Sequence, residues 1–370
     1  MIGTKINEIF NHIHQNAELS NEEFKTTDYI YDFLKSEGFE PVKFKNITGL
    51  YCDMGNWSGD YPLIGMRADI DALYQEVNGR LQANHSCGHD SHISMVIGAM
   101  LKLKDHEALK TRGVRFVFQP AEELGTGALD VLKEGVIDPL DYMFGIHLRP
   151  IEEARDGFIS PSIEHGSAGS FEFRISGHDA HGARPHLNSN AIEVGSAIVN
   201  MLSKIHINPM VPTSAKMTKF MAGSKSLNII PGSAECGIDV RAQTNSAMKE
   251  LKENIHNILR VVEELYDVKI ENLEESSIVA SESNEDAIAV FRSAIIDTVG
   301  EEHLLEPIVT SGGDDFHNYT VQYPNLKGAM LGLGCDLTPG LHHPDMTFNH
   351  ERMQTGADVL YQTILNVPAK

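Results

Sequence analysis

The spacing of apolar residues along the first third of the chain predicts alternating helices and strands. Apolar residues recur at helical spacing over residues 6–13 and 30–34, and the second of these helices should end at Gly38. The apolar runs LYCDM, PLIGM and VRFVF follow, each bounded by Gly, Pro or charged residues as strands are. Between the last two runs, SHISMVIGAMLKL predicts a helix that begins at residues 89–91. This order favours an α/β fold with a mostly parallel sheet and helices on both faces.

The pattern of apolar residues changes near residue 168. SFEFRISG and SAECGIDVRA alternate apolar and polar residues as half-buried strands do. Residues 190–206 and 246–266 have the amphipathic pattern of helices. These elements predict a compact α+β unit.

The first pattern then returns, with a helix over residues 287–299, a strand at GAMLGLG and a last helix from His350. We therefore predict an α/β domain formed by residues 1–166 and 278–370, with an inserted α+β domain formed by residues 167–277. The acidic stretch ENLEESSIVASESNED is predicted to be a hinge or crossover.

Charge and cysteine content narrow the classes of partner. The 370 residues include 30 basic and 52 acidic side chains, and the formal net charge of −22 repels nucleic-acid phosphates and anionic lipids. The N-terminal segment shows no secretory signal, and no stretch reaches the roughly 18 uncharged residues of a membrane span. The four cysteines lie far apart, unlike a disulfide framework or a zinc knuckle. We expect a cytoplasmic protein without nucleic-acid or membrane partners.

Side chains that bind transition metals follow the ends of four predicted strands. They are Cys87 and His89, Glu122 and Glu123, His147, and the pair His342 and His343. Each group also has a structural interpretation: a helix N-terminus, solvated charge, a core histidine and a turn at Pro344. Their joint occurrence at strand ends instead favours an active-site crevice, because the carboxyl ends of parallel strands meet at one edge of a sheet.

The motifs around these residues carry a resemblance to a known family. RADIDAL, HSCGHDSH, QPAEE, GIHLRP, GHDAHGARPH, NIIP and LHHP occur in order between residues 67 and 344. The chain thus resembles the amidohydrolase branch of the aminoacylase/carboxypeptidase metallopeptidase family, which includes N-acyl-amino-acid, hippurate and auxin-conjugate amidohydrolases. The resemblance implies a zinc-peptidase-like catalytic domain that carries a lid and dimerisation domain, and therefore a homodimer formed through the inserted domain.

The resemblance also implies a pair of divalent metal ions. Cys87 would bridge them, with His89 and His147 on one ion and Glu123 and His342 on the other, while His343 ranks below His342 as a ligand. This set of a thiolate, imidazoles and a carboxylate suits Zn or Mn first, and also Ni or Co.

The remaining site residues are assigned by the same resemblance. Glu122 matches the general base, and Asp69 matches a carboxylate that orients a ligand, although a merely structural role is equally consistent. In the inserted domain, His181 matches a histidine that stabilises the oxyanion, from the same subunit or from its partner. Asn228 and Arg241 match residues that hold substrate oxygens, and Arg241 on an alternating strand could also be a plain surface residue.

The sequence departs from the family pattern at two positions, and the first of them, in a loop that helps to shape the substrate pocket, leaves the substrate open. Tyr74 stands where Pro is usual after DAL, and Asp314 stands where Glu is usual in the element SGGDDF. The function implied is hydrolysis of N-acyl amino acids or related small amide conjugates. The alternatives are a dipeptidase or aminopeptidase of the same family, an inactive metal or amino-acid binding protein, and, with least support, a thiol redox protein that uses Cys87.

Overall fold

The computed structural model describes residues 2–370, which divide into two compact units. The first unit comprises the chain up to Glu164 together with Glu282–Val309 and Asp314–Lys370, and the second comprises His165–Ser281 and Thr310–Gly313. The bounds of 167 and 277 predicted for the insertion lie inside the second unit. Among the described residues, each helix is either too short or too polar to span a lipid bilayer.

Most of the longer helices fall where apolar residues recur every three to four positions. In chain order they are α1 (Ile2–Gln15), α2 (Phe24–Ser36), α3 (His89–Leu103), α4 (Gly127–Lys133), α5 (Ala191–Leu202), α6 (Asn245–Tyr266), α7 (Glu285–Val299), α8 (His317–Gln322) and α9 (Arg352–Asn366). The helix predicted over residues 190–206 ends early, at Leu202.

The strands include every apolar run named in the sequence. In chain order they are β1 (Pro41–Lys43), β2 (Leu50–Gly55), β3 (Leu63–Asp69), β4 (Leu73–Val77), β5 (Arg80–Asn84), β6 (Gly113–Gln119), β7 (Tyr142–Pro150), β8 (Ile159–Ser160), β9 (Ile163–His165), β10 (Ser167–Ser176), β11 (Ala180–His181), β12 (Thr213–Ala222), β13 (Ile229–Ile230), β14 (Ala234–Ala242), β15 (Lys269–Ile278), β16 (Ile308–Thr310) and β17 (Lys327–Leu337).

The first unit is built on a seven-stranded sheet in the order β1-β2-β6-β3-β7-β17-β8. The four central strands β6, β3, β7 and β17 run parallel. β2 and β8 pair antiparallel with β6 and β17, and β1 pairs antiparallel with β2. The predicted fold class, an α/β fold with a central, mostly parallel sheet, is confirmed.

Both faces of this sheet are covered. Phe116 and Phe118 of β6 face a core that includes residues of α1, α3, α7 and α9, whereas Val117 faces a second core that includes residues of α4 and α8. Because every second residue points to the opposite face, strands buried on both sides have continuous apolar sequences. This is why VRFVF has no alternation.

Close packing of α3 fixes the helix that carries His89. Gly98 lies against α1 and α9, and a Cβ there would come within 2.7 Å of Ile6 and 2.9 Å of Ala357. The helix begins after Gly88, whose φ of +88° is a left-handed conformation that glycine adopts without strain. A Cβ on Gly88 would come within 2.9 Å of Leu148 of β7, so the amino end of α3 lies close against the carboxyl end of that strand.

The second unit is an antiparallel sheet in the order β12-β14-β10-β15, with α5 and α6 packed on one face. The prediction that the acidic stretch is a hinge or crossover is wrong for its first part, because Glu271–Ile278 belongs to β15 and pairs with β10. An edge strand that is exposed on both faces needs no apolar residues, so periodicity could not detect it.

A hairpin of β4 and β5 was also missed. Its turn is Asn78-Gly79, and both residues have positive φ, +52° and +78°. Asn-Gly is the preferred sequence for such a two-residue turn, so this signal was available in the sequence.

Candidate metal centre and active site

The carboxyl ends of the central strands bring the predicted ligands of the first unit to one edge of the sheet. β3 ends at Asp69, β6 is followed by the loop that holds Glu122 and Glu123, and His342 lies in the loop after β17. His147 differs slightly from the prediction, because β7 continues beyond it to Pro150.

Two groups of potential metal ligands share Cys87. One contains Cys87, His89 and His147, the other contains Cys87, Glu123 and His342, and within each group the ligand atoms lie within 4.8 Å of one another. Cys87 Sγ is 3.5 Å from His147 Nε2, and His342 Nε2 is 3.5 Å from a Glu123 oxygen. The structure therefore places together all five residues that the sequence proposed as ligands.

Backbone carbonyls orient the two buried imidazoles. His89 Nδ1 lies 2.9 Å from the carbonyl oxygen of Asp71, and His147 Nδ1 lies 2.7 Å from that of Leu148. A ring nitrogen that donates to a carbonyl leaves the other nitrogen as a free lone pair, the usual arrangement of a metal-binding histidine. His89 Nε2 and Glu123 Oε1 are buried without a hydrogen-bond partner, so the residues present fit a metal centre.

The electrostatics of this cluster favour a bound cation. Burial and neighbouring carboxylates raise the pKa of Glu122 well above its usual range, and burial raises that of Glu123 to about 7. Burial and the charge of Glu123 likewise raise the pKa of Cys87. Burial lowers the pKa of His147 well below its usual range, which keeps its ring in the neutral, metal-binding form. Binding of a divalent ion would therefore release protons from the acidic ligands.

A buried arginine lies behind this cluster. Arg67 of β3 is fully buried and donates to Asp69 at 2.5 Å, to Asp315 at 3.0 Å and to the side chain of Gln119 at 3.0 Å. Asp314 lies 3.4 Å from the same guanidinium. Glu122, Asp314 and Asp315 have oxygens within 4.8 Å of one another. Together with Asp69, four carboxylates therefore lie around the single positive charge of Arg67.

Asp69 contacts Arg67 and His92 and lies close to His89. His92 Nε2 accepts from the backbone N–H of Leu148 at 3.1 Å, so its Nδ1 carries the proton and donates to Asp69 at 2.7 Å. Asp69 is 3.7 Å from His89 Nε2. Burial alone would raise the pKa of Asp69, but the charge of Arg67 and the hydrogen bond from His92 hold it well below its usual range.

Asp71, which was not predicted as a site residue, touches both the segment of His89 and the segment of Glu123. Its carboxylate accepts from the backbone N–H of Glu123 at 3.0 Å and from Ser20 at 2.6 Å. Its other oxygen lies 3.3 Å from His89 Nδ1. Its position two residues after Asp69, just beyond the end of β3, was the sequence feature that could have marked Asp71 as a site residue.

The loop of His342 is held by the β4–β5 hairpin. Gln75 donates to the carbonyl of His342 at 2.7 Å and accepts from Ser86 at 2.7 Å and from Asn84 at 3.1 Å. His342 has a φ of +64°, in the left-handed region that residues with a Cβ rarely adopt. Gln75 therefore helps to hold the backbone at His342 in place.

The predicted residues of the second unit lie on its surface. His181 on β11 and Asn228 beside β13 are neighbours, because Gly182 N–H donates to the Asn228 carbonyl at 2.8 Å. The backbone N–H of Ala183 donates to His181 Nδ1 at 3.0 Å. Arg241 on β14 makes a two-point pair with Asp239, at 2.9 and 3.1 Å.

Comparison with known proteins places the chain among metal-dependent hydrolases. A protein-family sequence model, described as "Peptidase family M20/M25/M40", matches residues 65–366 of the chain. The chain is 29% identical to N-acetyl-L-cysteine deacetylase of Bacillus subtilis over 95% of this chain and 85% of that protein. It is 32% identical to N-acyl-L-amino acid amidohydrolase of Geobacillus stearothermophilus over 70% and 73%. A Bacillus subtilis crystal structure, of the YXEP protein described as a dinuclear metal binding peptidase, matches with a TM-score of 0.82, 25% identity and 98% of each chain.

Proposed function

The chain belongs to peptidase family M20/M25/M40, and on that premise we propose that it is a metal-dependent amidohydrolase. Its substrates are N-acyl amino acids or related amide conjugates, the class named for its relatives. The observation that carries this proposal is the pair of ligand groups that share Cys87 beside the buried carboxylate of Glu122.

We propose that two divalent ions are bound by the shared Cys87, with His89 and His147 at one position and Glu123 and His342 at the other. Bound ions of this kind polarise a carbonyl and lower the pKa of water from about 16 towards 7. Zinc or manganese is our first choice of ion. The cytoplasm is our expected compartment, because all four cysteines are free and buried.

Glu122 is the proposed general base. Burial raises its pKa, so its carboxylate readily takes a proton from the attacking water and then passes it to the departing amine. The backbone N–H of Asp315 lies 3.4 Å from Glu122 Oε1 and helps to orient this carboxylate.

His181, Asn228 and Arg241 are proposed to bind the substrate. His181 Nδ1 accepts a backbone hydrogen bond, so Nε2 of the neutral ring carries the proton and can donate to an oxyanion. Arg241 could exchange its pair with Asp239 for a substrate carboxylate.

Substitution of Glu122 by Gln tests the proposal, because it keeps volume and removes the base. We expect unchanged metal content and a fall in kcat of about 100-fold or more. Glu76→Gln, on an exposed position of β4, is the matched control and should behave as wild type. Full turnover by Glu122→Gln would refute the assigned role.

A substrate panel tests the reaction class. The panel pairs acetyl-, benzoyl- and long-chain acyl amino acids with unblocked dipeptides, and release of the free amino acid is measured. Cleavage of dipeptides alone would favour the peptidase alternative. A metal-loaded protein that cleaves no member would favour a binding function.

We also propose a homodimer formed through the second unit. Its support is the edge strand β12 beside exposed apolar residues of α5, where Ile192 and Val199 are 45% and 47% exposed. Val199→Lys should produce monomers in light scattering. Val261→Lys on α6, where the valine is 39% exposed, should leave the dimer intact. A monomeric wild type would rule the dimer out.

A further inference from the structure

Glu23 is a buried carboxylate that the mechanism above does not use. It occupies the N-cap position of α2, yet its side chain makes no capping hydrogen bond. Its two oxygens accept instead from the backbone N–H of Ala121 at 2.9 Å and from the hydroxyl of Thr48 at 2.5 Å. The side chain is therefore directed away from its own helix and towards the loop that follows β6.

Ala121 immediately precedes Glu122 and has an unusual backbone. Its φ is +53°, in the left-handed region that residues with a Cβ rarely adopt. Such a conformation persists only where the surrounding structure enforces it. The hydrogen bond from Ala121 N–H to Glu23 is a fixed contact that does so.

The other side of Glu122 is held in the same way. The backbone N–H of Glu123 donates to the carboxylate of Asp71 at 3.0 Å. Two buried carboxylates from elsewhere in the chain thus bind the peptide groups on either side of the proposed base. Asp71 also lies against His89, whereas Glu23 touches none of the proposed metal ligands through the contacts above.

We propose that Glu23 is a positioning residue for Glu122. By accepting from Ala121 it holds the left-handed turn that aims the following side chain at the reacting water. This inference rests on the proposed function, because it takes Glu122 as the base. It predicts an effect on turnover that is separable from metal binding and from overall stability.

A matched pair of variants tests the inference. Glu23→Gln keeps an amide oxygen that can accept from Ala121, and its amide nitrogen can donate to Thr48. Glu23→Leu has similar volume and cannot accept. We expect Glu23→Leu to lower kcat about tenfold, which corresponds to about 1.4 kcal/mol, with KM within about twofold and metal content unchanged. Glu23→Gln should retain most of the wild-type kcat.

A second substitution separates positioning from stability. Glycine adopts positive φ without penalty, so Ala121→Gly should recover part of the kcat lost in Glu23→Leu.

Hydrogen exchange in the metal-free protein gives a readout independent of activity. The peptide over residues 119–125 should exchange faster in Glu23→Leu than in Glu23→Gln. If Glu23→Leu does not fold, Thr48→Val carries the test and should lower kcat by a smaller factor.

The outcomes are distinguishable. Wild-type kcat in Glu23→Leu, or in Thr48→Val where the former does not fold, overturns the inference. So does a loss that Ala121→Gly leaves unchanged and that follows the melting temperature. Glu122→Gln is measured in the same assay with the panel substrate that gives the highest kcat. If the wild type cleaves no member of the panel, the proposed function fails. If Glu122→Gln is fully active, the assignment of the base fails, and with it this inference. If Glu122→Gln is inactive while Glu23→Leu is normal, only this inference fails.

Discussion

Replacement of Arg67 by methionine would leave the buried carboxylates behind the active site without their cation. Arg67 is fully buried and contacts Asp69, Asp314 and Asp315 at 2.5, 3.4 and 3.0 Å. Methionine fills much of the same space but neither carries a charge nor donates hydrogen bonds. The substitution therefore tests whether this single cation allows the acidic cluster to be buried.

The expected magnitude follows from the loss of one partner of a buried ion pair, which costs about 3–5 kcal/mol. Adding the separate hydrogen bonds would overestimate it, because they share one guanidinium. Arg67→Lys keeps the charge but not the planar fork, so we expect a smaller loss of about 1.5–3 kcal/mol.

The deficit should depend on pH. In the wild type, the pKa of Asp69 is held below its usual range, so its contribution to stability is present above pH 3.8 and disappears as the pH falls through the folded-state pKa. Without Arg67 the pKa values of Asp69 and Asp315 rise, and protonation discharges them sooner. The deficit of Arg67→Met should therefore be smaller at pH 5 than at pH 7.5.

The chain offers a convenient probe for this measurement. Trp57 is the only tryptophan, lies in the same unit, donates to the Met54 carbonyl at 3.2 Å and has Arg115 4.7 Å from its ring centre. Its fluorescence during urea unfolding of chelated protein reports the free energy of unfolding of that unit. A loss below about 1 kcal/mol, far under the value for a broken buried pair, or a larger deficit at pH 5, would refute the reasoning.

Two further predictions concern the histidine–aspartate pair at α1 and the metal centre. The hydrogen bond to Asp90 raises the pKa of His14, so the pair stabilises the fold below pH 6.5 and its contribution disappears as the pH rises through the folded-state pKa. His14→Gln should lower the free energy of urea unfolding at pH 5.5 by under about 1 kcal/mol, because His14 is half-exposed. The same substitution should have no effect at pH 9. An equal loss at both pH values would contradict this prediction. Cys87 belongs to both ligand groups, whereas His342 belongs to one. Elemental analysis should therefore find no bound ions in Cys87→Ala and one ion in His342→Ala. Two ions in Cys87→Ala would exclude a shared ligand.

Local sequence determined the elements with clear apolar patterns and the identity of the family. Amphipathic repeats specify helices such as α1 and α6, and the short continuous apolar run VRFVF specifies β6, because each pattern matches the faces that the element buries. The motifs that contain Cys87, His89 and Glu123 indicated the family, which the family model confirms. These features depend on residues close together in the chain.

Other features were decided by tertiary structure. Arg67 and Asp315 are 248 positions apart, and Glu23 reaches Ala121 across 98, so no local pattern could show that they meet. β15 has the polar sequence of an exposed edge and is a strand only because β10 lies beside it. A buried charge is tolerated only where other groups pair with it, and here those groups come from distant parts of the chain. Long-range packing, rather than any single segment, therefore specifies the network behind the site.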